Sequence, residues 1–167
     1  MKTKDLIRIS LFCALISIFS QISIPVLMVP LTLQTFIIAL QGYILGMKNS
    51  LKTMLVYVLL GILGIPVFAN FKCGISALLS PTGGYILAFF LVCIFCSLNT
   101  KHKILYGILG VFLLNVFGII YFSLVSKVFD IATLFSMAGV FIIKDIISVT
   151  GAYLISKPIK KALNLTV

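Results

Sequence analysis

Apolar runs of membrane-crossing length, each closed by a lysine, proline or glycine, recur along almost the whole chain. A helix needs roughly 20 apolar residues to cross the hydrocarbon core, and turns between helices can be short. The pattern predicts six spans: Leu6 to Ser23, Leu33 to Met47, Leu51 to Ile65, Pro81 to Leu98, Ile104 to Val125 and Val140 to Ser156. The expected fold is all-α, one transmembrane domain over residues 1–167 with both termini on the same side of the bilayer.

Composition sharpens this. With 62% hydrophobic and 10% charged residues in 167 positions, the apolar side chains exceed what one water-soluble core can hide, so most of them face lipid. A mean hydropathy of +1.28 and the lack of any long Ser/Pro/Gln-rich tract exclude disorder.

The net charge of +10 builds no stripe or aromatic-interleaved groove, which argues against nucleic acid as a partner. The cations act as topology signals instead. Lys2, Lys4 and Arg8, Lys48 and Lys52, Lys101 and Lys103, and Lys157, Lys160 and Lys161 all fall on one face of a six-span arrangement. The other face keeps Lys72 and Lys127, with Lys144 near the start of the last span, so both termini are expected in the cytoplasm. The basic N-terminus followed by an apolar run is similar to a signal peptide. No small-x-small cleavage pattern follows before Pro25, and the segment reads as a retained first span.

The cytoplasmic turns are short and basic, whereas the outer segments Ile24 to Thr32, Pro66 to Ser80 and Ser126 to Gly139 are longer and hold Pro, Gly and aromatic residues. Irregular loops on a rigid bundle are where a ligand site and its lid are expected. Pro25 and Pro30 restrict the first of these, leaving Val26 to Val29 as an apolar flap.

Catalytic signatures are lacking. There is no Gly-x-x-x-x-Gly-Lys-Ser/Thr phosphate loop and no His-Glu-x-x-His, and the one histidine, His102, sits between lysines in a turn. The acids are Asp5, Asp130 and Asp145, too few and too scattered for a paired-carboxylate enzyme. Cys93 and Cys96 read as small packing residues within a span. Asp145 stands out because it lies in an apolar run shortly after the expected outer end of the sixth span, where an ionisable group is costly and faces the bundle interior with a partner. Lys144 points about 100° away from it on a helix, so a direct pair is not required and the lysine is free to snorkel outward.

Pro81-Thr82-Gly83-Gly84-Tyr85 opens the fourth span, and its glycines suit either an anionic ligand end docking on free amides or tight helix packing. Asn70, in an outer loop, suits a turn or a ligand contact. Gln34 and Asn115 are polar residues within spans, suited to interhelical bonds. Ser10, Cys13, Ala14, Ser17 and Ser20 give the first span a smooth packing face. The sequon Asn164-x-Thr166 falls on the expected cytoplasmic tail.

Three ordered segments carry a family resemblance: Pro30-Leu31-Thr32-Leu33-Gln34-Thr35, Gly61 to Asn70 (GILGIPVFAN), and Pro81 to Tyr85. Together they resemble the BioY family, the biotin-binding S components of energy-coupling factor (ECF) transporters. The resemblance implies a six-helix S-component bundle in a bacterial plasma membrane, biotin as the transported ligand, and no cofactor. It also implies partners: a transmembrane coupling protein, met through the small-residue face of the first span, and two ABC-type ATPases. It implies no enzymatic activity and no ATPase in this chain. By the same likeness, Asn70 and Asp145 contact the ureido ring, while Gly83, Gly84 and Tyr85 shape the wall. One departure bears on specificity. The family's Gly-Asp pair is followed three positions later by Lys, whereas here Lys144-Asp145 is followed by Ser148, so either Ser148 contacts the ligand or Lys144 supplies the charge.

Overall fold

The computed structural model describes residues 3–26 and 29–163. Its elements are α1 (Thr3–Gln21), a hairpin of β1 (Ser23–Val26) and β2 (Val29–Thr32), α2 (Gln34–Ile62), α3 (Ile75–Leu78), α4 (Gly83–Ser97), α5 (Lys103–Ser126) and α6 (Ile131–Ala162).

The second and third expected spans are the two arms of α2. Gly46 breaks the helix with φ 72° and ψ 168°, a conformation that only glycine adopts readily. Beyond it the chain folds back on itself. Ser50 Oγ donates to the Gln41 carbonyl at 3.1 Å, and Gln34 Nε2 donates to Tyr57 Oη at 2.9 Å. On a straight helix the latter pair would stand about 34 Å apart. With this reversal the molecule has six helical legs, as the hydrophobic pattern predicts.

The two arms of α2 pack against α4 and α6, and α5 closes the ring by packing against both of these, while α1 lies outside against α2. The α4–α5 contact is reciprocal. A side chain at Gly84 of α4 would collide with Tyr121 of α5, and one at Gly118 of α5 would collide with Tyr85 of α4. Each helix thus lays an aromatic ring into the glycine notch of the other, the close approach that helices use where lipid offers no hydrophobic drive to associate. Gly61 makes a third notch, for the Phe68 ring, which meets Tyr57 edge-on with centroids 5.5 Å apart.

The outward surface suits hydrocarbon. α5 and α6 are long and apolar enough to cross a membrane, with mean hydropathies of 2.4 and 1.8. Leu105, Phe112, Ile120 and Leu124 of α5, with Ile143, Ile147 and Leu154 of α6, are each at least half exposed. A water-soluble monomer rarely presents so continuous an apolar face.

Two loop expectations and one helix end change. The first outer segment is a β-hairpin with Pro25 opposite Pro30, rather than an irregular loop; Leu27 and Met28 of the expected flap lie outside the described residues, as does the sequon at Asn164. The third outer segment is mostly helix, because Asp130 caps α6 nine residues earlier than the expected start at Val140: its carboxylate accepts from the Thr133 amide at 2.9 Å and the Thr133 hydroxyl at 2.5 Å. At its other end α6 runs past Pro158 to Ala162 instead of stopping at Ser156. Asp145 therefore sits fourteen residues into a 32-residue helix, about 21 Å from its start, well inside the bundle.

Two expectations follow. Gly84→Leu should lower the thermal midpoint of the detergent-purified protein, with an overpacking cost of about 1–3 kcal/mol, whereas Gly139→Leu, built into open space, should leave it nearly unchanged. The hydrogen bonds from Thr133 hold the Asp130 carboxyl below its ordinary value of 3.8. The cap is accordingly in force above that value and is lost as pH falls through the lowered one; amide exchange at the start of α6 should accelerate only in that acid range.

Candidate ligand-binding site

A cavity of about 630 Å³, counting its open mouth, lies between α2, α4, α5 and α6 at the hairpin end of the bundle. Phe68, Phe89, Ile86, Leu114 and Phe141 make apolar walls, while Val29 and Pro30 of the hairpin line it along with Ala69 and Lys72 of the loop after α2.

Asp145 forms the charged floor and is 1% exposed. Its Oδ2 accepts from Asn115 Nδ2 at 2.9 Å, and the same amide donates to the Val111 carbonyl at 2.8 Å. Its Oδ1 faces Lys144 Nζ at 2.5 Å but has no aligned hydrogen bond, so it retains capacity to accept one. The two neighbouring residues do pair, contrary to what their helical directions suggest. Lys144 does not snorkel outward; its flexible stem curls past Phe141 and brings Nζ to the Thr32 carbonyl and Thr35 Oγ1, both at 3.2 Å. The lysine thereby ties the end of β2 and the start of α2 to α6. Pairing is what makes a carboxylate tolerable at this depth, since an isolated charge in hydrocarbon is prohibitive.

Tyr85 completes the polar end. Seated in the Gly118 notch, it lines the cavity beside Phe141, ring centroids 5.5 Å apart, and its buried hydroxyl has no hydrogen-bond partner among the described residues. Unspent buried donors and acceptors are costly unless something else satisfies them. Tyr85 Oη is such an atom, and Asp145 Oδ1, engaged by the ammonium alone, keeps a lone pair free; both residues line the cavity.

The other expected site residues fall elsewhere. Gly83 and Gly84 do not line the cavity: the Gly83 amide is spent on the Ser80 carbonyl at 2.8 Å, its Cα abuts Leu78, and Gly84 receives Tyr121. Thr82 reaches the cavity instead. Ser148 is buried but one turn deeper, outside the lining. Asn70 is exposed in a left-handed turn, φ 59°, and its Oδ1 accepts from Ser23 Oγ at 2.9 Å. With Phe71, also at positive φ, it forms a tight loop gripped by Gln21, whose Oε1 accepts from the Phe71 amide at 2.9 Å and whose Nε2 donates to the Phe68 carbonyl at 3.1 Å. Asn70 thus fixes the loop that carries Phe68 and Ala69 into the wall.

Sequence reasoning missed Thr35, Tyr57, Phe68 and Phe141 as lining residues. Phe141 was legible in principle, one helical turn before Asp145 and so on the same face. Tyr57 carried no signal, because its hydroxyl is held between Gln34 and the Val67 carbonyl, 3.0 Å away, only by the α2 reversal.

Fold and cavity together define a small, mostly helical membrane protein with a largely apolar cavity near the hairpin end of its bundle. This chain belongs to the BioY family, whose model matches residues 1–165. It is 43% identical over 119 residues to a probable biotin transporter BioY of Pyrococcus horikoshii, covering 71% of this chain and 74% of that one. It is 42% identical over 127 residues to the biotin transporter BioY of Thermotoga maritima, covering 67% and 75%. The crystal structure of the S component for biotin from an ECF-type ABC transporter superimposes with a TM-score of 0.83 at 27% identity, over 96% of this chain and 95% of that one.

Asn115 is a positioning residue in this arrangement. Asn115→Leu should cost about 1–3 kcal/mol of stability by stripping the donor from a buried carboxylate, and Asn115→Gln should restore less than half of it; denaturant unfolding of the three proteins in detergent measures both.

Proposed function

We propose that this chain captures biotin at the outer face of a bacterial plasma membrane and delivers it inward as the S component of an ATP-driven ECF-type transporter. The observation that carries this reading is the cavity's division of labour: greasy walls between a polar end made by Asp145, Lys144 and Tyr85 and a second cation, Lys72, at the loop edge. Biotin is polar at its two ends, a ureido ring fused to a thiolane at one and a carboxylate at the other, with an apolar chain between them. Asp145 Oδ1 accepts a ureido N–H, Lys144 and Tyr85 donate to the ureido oxygen, and Lys72 at the lining's loop edge pairs with the carboxylate. Lys144 in this scheme supplies the charge that the family's lysine provides, and Ser148 supports the helix behind it.

The orientation follows from charge. The helix ends rich in lysine face the cytoplasm, which leaves the hairpin and the cavity outside and makes the chain multi-pass. ATP hydrolysis falls to partners, a transmembrane coupling protein and two ABC-type ATPases. Ser10, Ala14 and Ser17 form an outward stripe along α1, a smooth surface on which another helix can lie closely.

Calorimetry on the purified chain should give saturable binding of biotin. Asp145→Ala should weaken it by about thirtyfold or more, as expected for removing one member of a desolvated charge pair, whereas Ser148→Ala should change it less than about twofold. A folded protein that produces no binding heat with biotin would sink the proposal, and a different small molecule retained through purification and identified by mass spectrometry would redirect it.

A further inference from the structure

The end of the bundle opposite the cavity holds a second recess, unlike the first in chemistry. It forms where the start of α1, the Gly46 reversal, the α4–α5 turn and the end of α6 meet, and it encloses about 940 Å³ counting its open side. Arg8, Lys103 and Lys160 enter it from three different helices, alongside Asn49, Ser97 and Asn99. Among the described residues no carboxylate lines it; Asp5, nearby on α1, accepts from Asn49 Nδ2 at 3.5 Å and lies outside the lining. A topology signal requires only that cations be numerous on one side of the membrane. It does not require three of them to converge on one hollow.

An apolar groove continues from this recess, sharing Arg8, Ile44 and Leu45 with it. Leu11, Leu15, Leu40 and Ile159 line the groove, which runs between α1 and the end of α6 along the flank that faces lipid. A basic hollow joined to a greasy trough matches a molecule with a phosphate at one end and a hydrocarbon chain at the other.

We infer that this paired recess and groove is a binding site for an anionic phospholipid of the cytoplasmic leaflet, its phosphate among Arg8, Lys103 and Lys160 and one acyl chain along α1. Basic pockets between transmembrane helices on this side of a membrane suit such headgroups, with each cation worth on the order of 1 kcal/mol. A guanidinium also grips a phosphate with two parallel hydrogen bonds, which Arg8 is equipped to supply. A zwitterionic lipid brings an ammonium of its own and gains less from three unbalanced cations. The bound lipid would bridge α1 to α5 and α6. This inference does not depend on which ligand the outer cavity takes.

Native mass spectrometry of the detergent-purified full chain tests it, with phosphatidylglycerol and phosphatidylcholine of identical acyl chains offered together. The wild-type protein should retain phosphatidylglycerol about tenfold better, and the triple variant Arg8→Gln/Lys103→Gln/Lys160→Gln should lose that preference while melting within a few degrees of the wild type. Should the triple variant fail to fold, Lys160→Gln alone decides: a reduced preference supports the site and an unchanged one overturns it. Equal retention of the two lipids by the wild type overturns it as well. So does complete displacement of phosphatidylglycerol by millimolar inorganic phosphate, which would mark a site for free anions only.

Discussion

A carboxylate inside a hydrocarbon-solvated bundle must be paired, and the architecture around Asp145 is arranged by that demand. One oxygen takes the Asn115 amide from α5, and the other faces the Lys144 ammonium, which in turn bonds to the start of α2 and the end of the hairpin. Three separate pieces of chain, the β2–α2 junction, α5 and α6, are tied to one charge. Replacing such a network with apolar side chains would often be neutral for stability, so its retention is better explained by what it presents to the cavity: a carboxylate oxygen and a tyrosine hydroxyl with bonding capacity to spare.

The polar end works only because the backbone brings it into register. Tyr85 reaches the cavity because Gly118 leaves room for its ring, and the mirror arrangement of Gly84 and Tyr121 locks α4 and α5 at that spacing. Tyr121 also donates to the Leu78 carbonyl at 2.9 Å, which fixes the segment leading into α4. The glycine pair that looks like an anion cradle on paper is therefore a packing device, and its contribution to the site is indirect, through the tyrosine it helps to aim. Asn70 acts in a similar way, holding a strained loop against Ser23 so that Phe68 can fill the notch at Gly61 and wall the cavity. In both cases the motif positions side chains that the motif itself does not contain.

The two ends of the bundle divide the protein's chemistry. The hairpin end has a mostly apolar cavity whose floor is a buried ion pair. The opposite end gathers cations around an open recess with no carboxylate among its described lining residues. This uneven distribution of charge along the bundle axis gives the two ends different chemistry: a mostly apolar cavity at one, a basic recess at the other.

Much of the fold was readable from the chain because a bilayer imposes a length on every apolar run and a sign on every turn. Six helical legs, the end of the bundle at which each turn lies, and the burial of a paired Asp145 all follow from that one-dimensional rule. Where it failed, the reason was local. Asp130 lies among apolar residues that look like loop until its carboxylate is seen capping α6, and Gly46 joins two spans by a turn too tight for hydropathy to resolve. The composition of the cavity was decided in three dimensions alone. Tyr57, Phe68, Tyr85, Thr35 and Lys144 are distant in sequence and meet only once α2 reverses and α4 seats against α5. Whether a lysine snorkels to the interface or curls onto its neighbour depends on which acceptors the fold brings within reach, and here those acceptors are Thr32, Thr35 and Asp145.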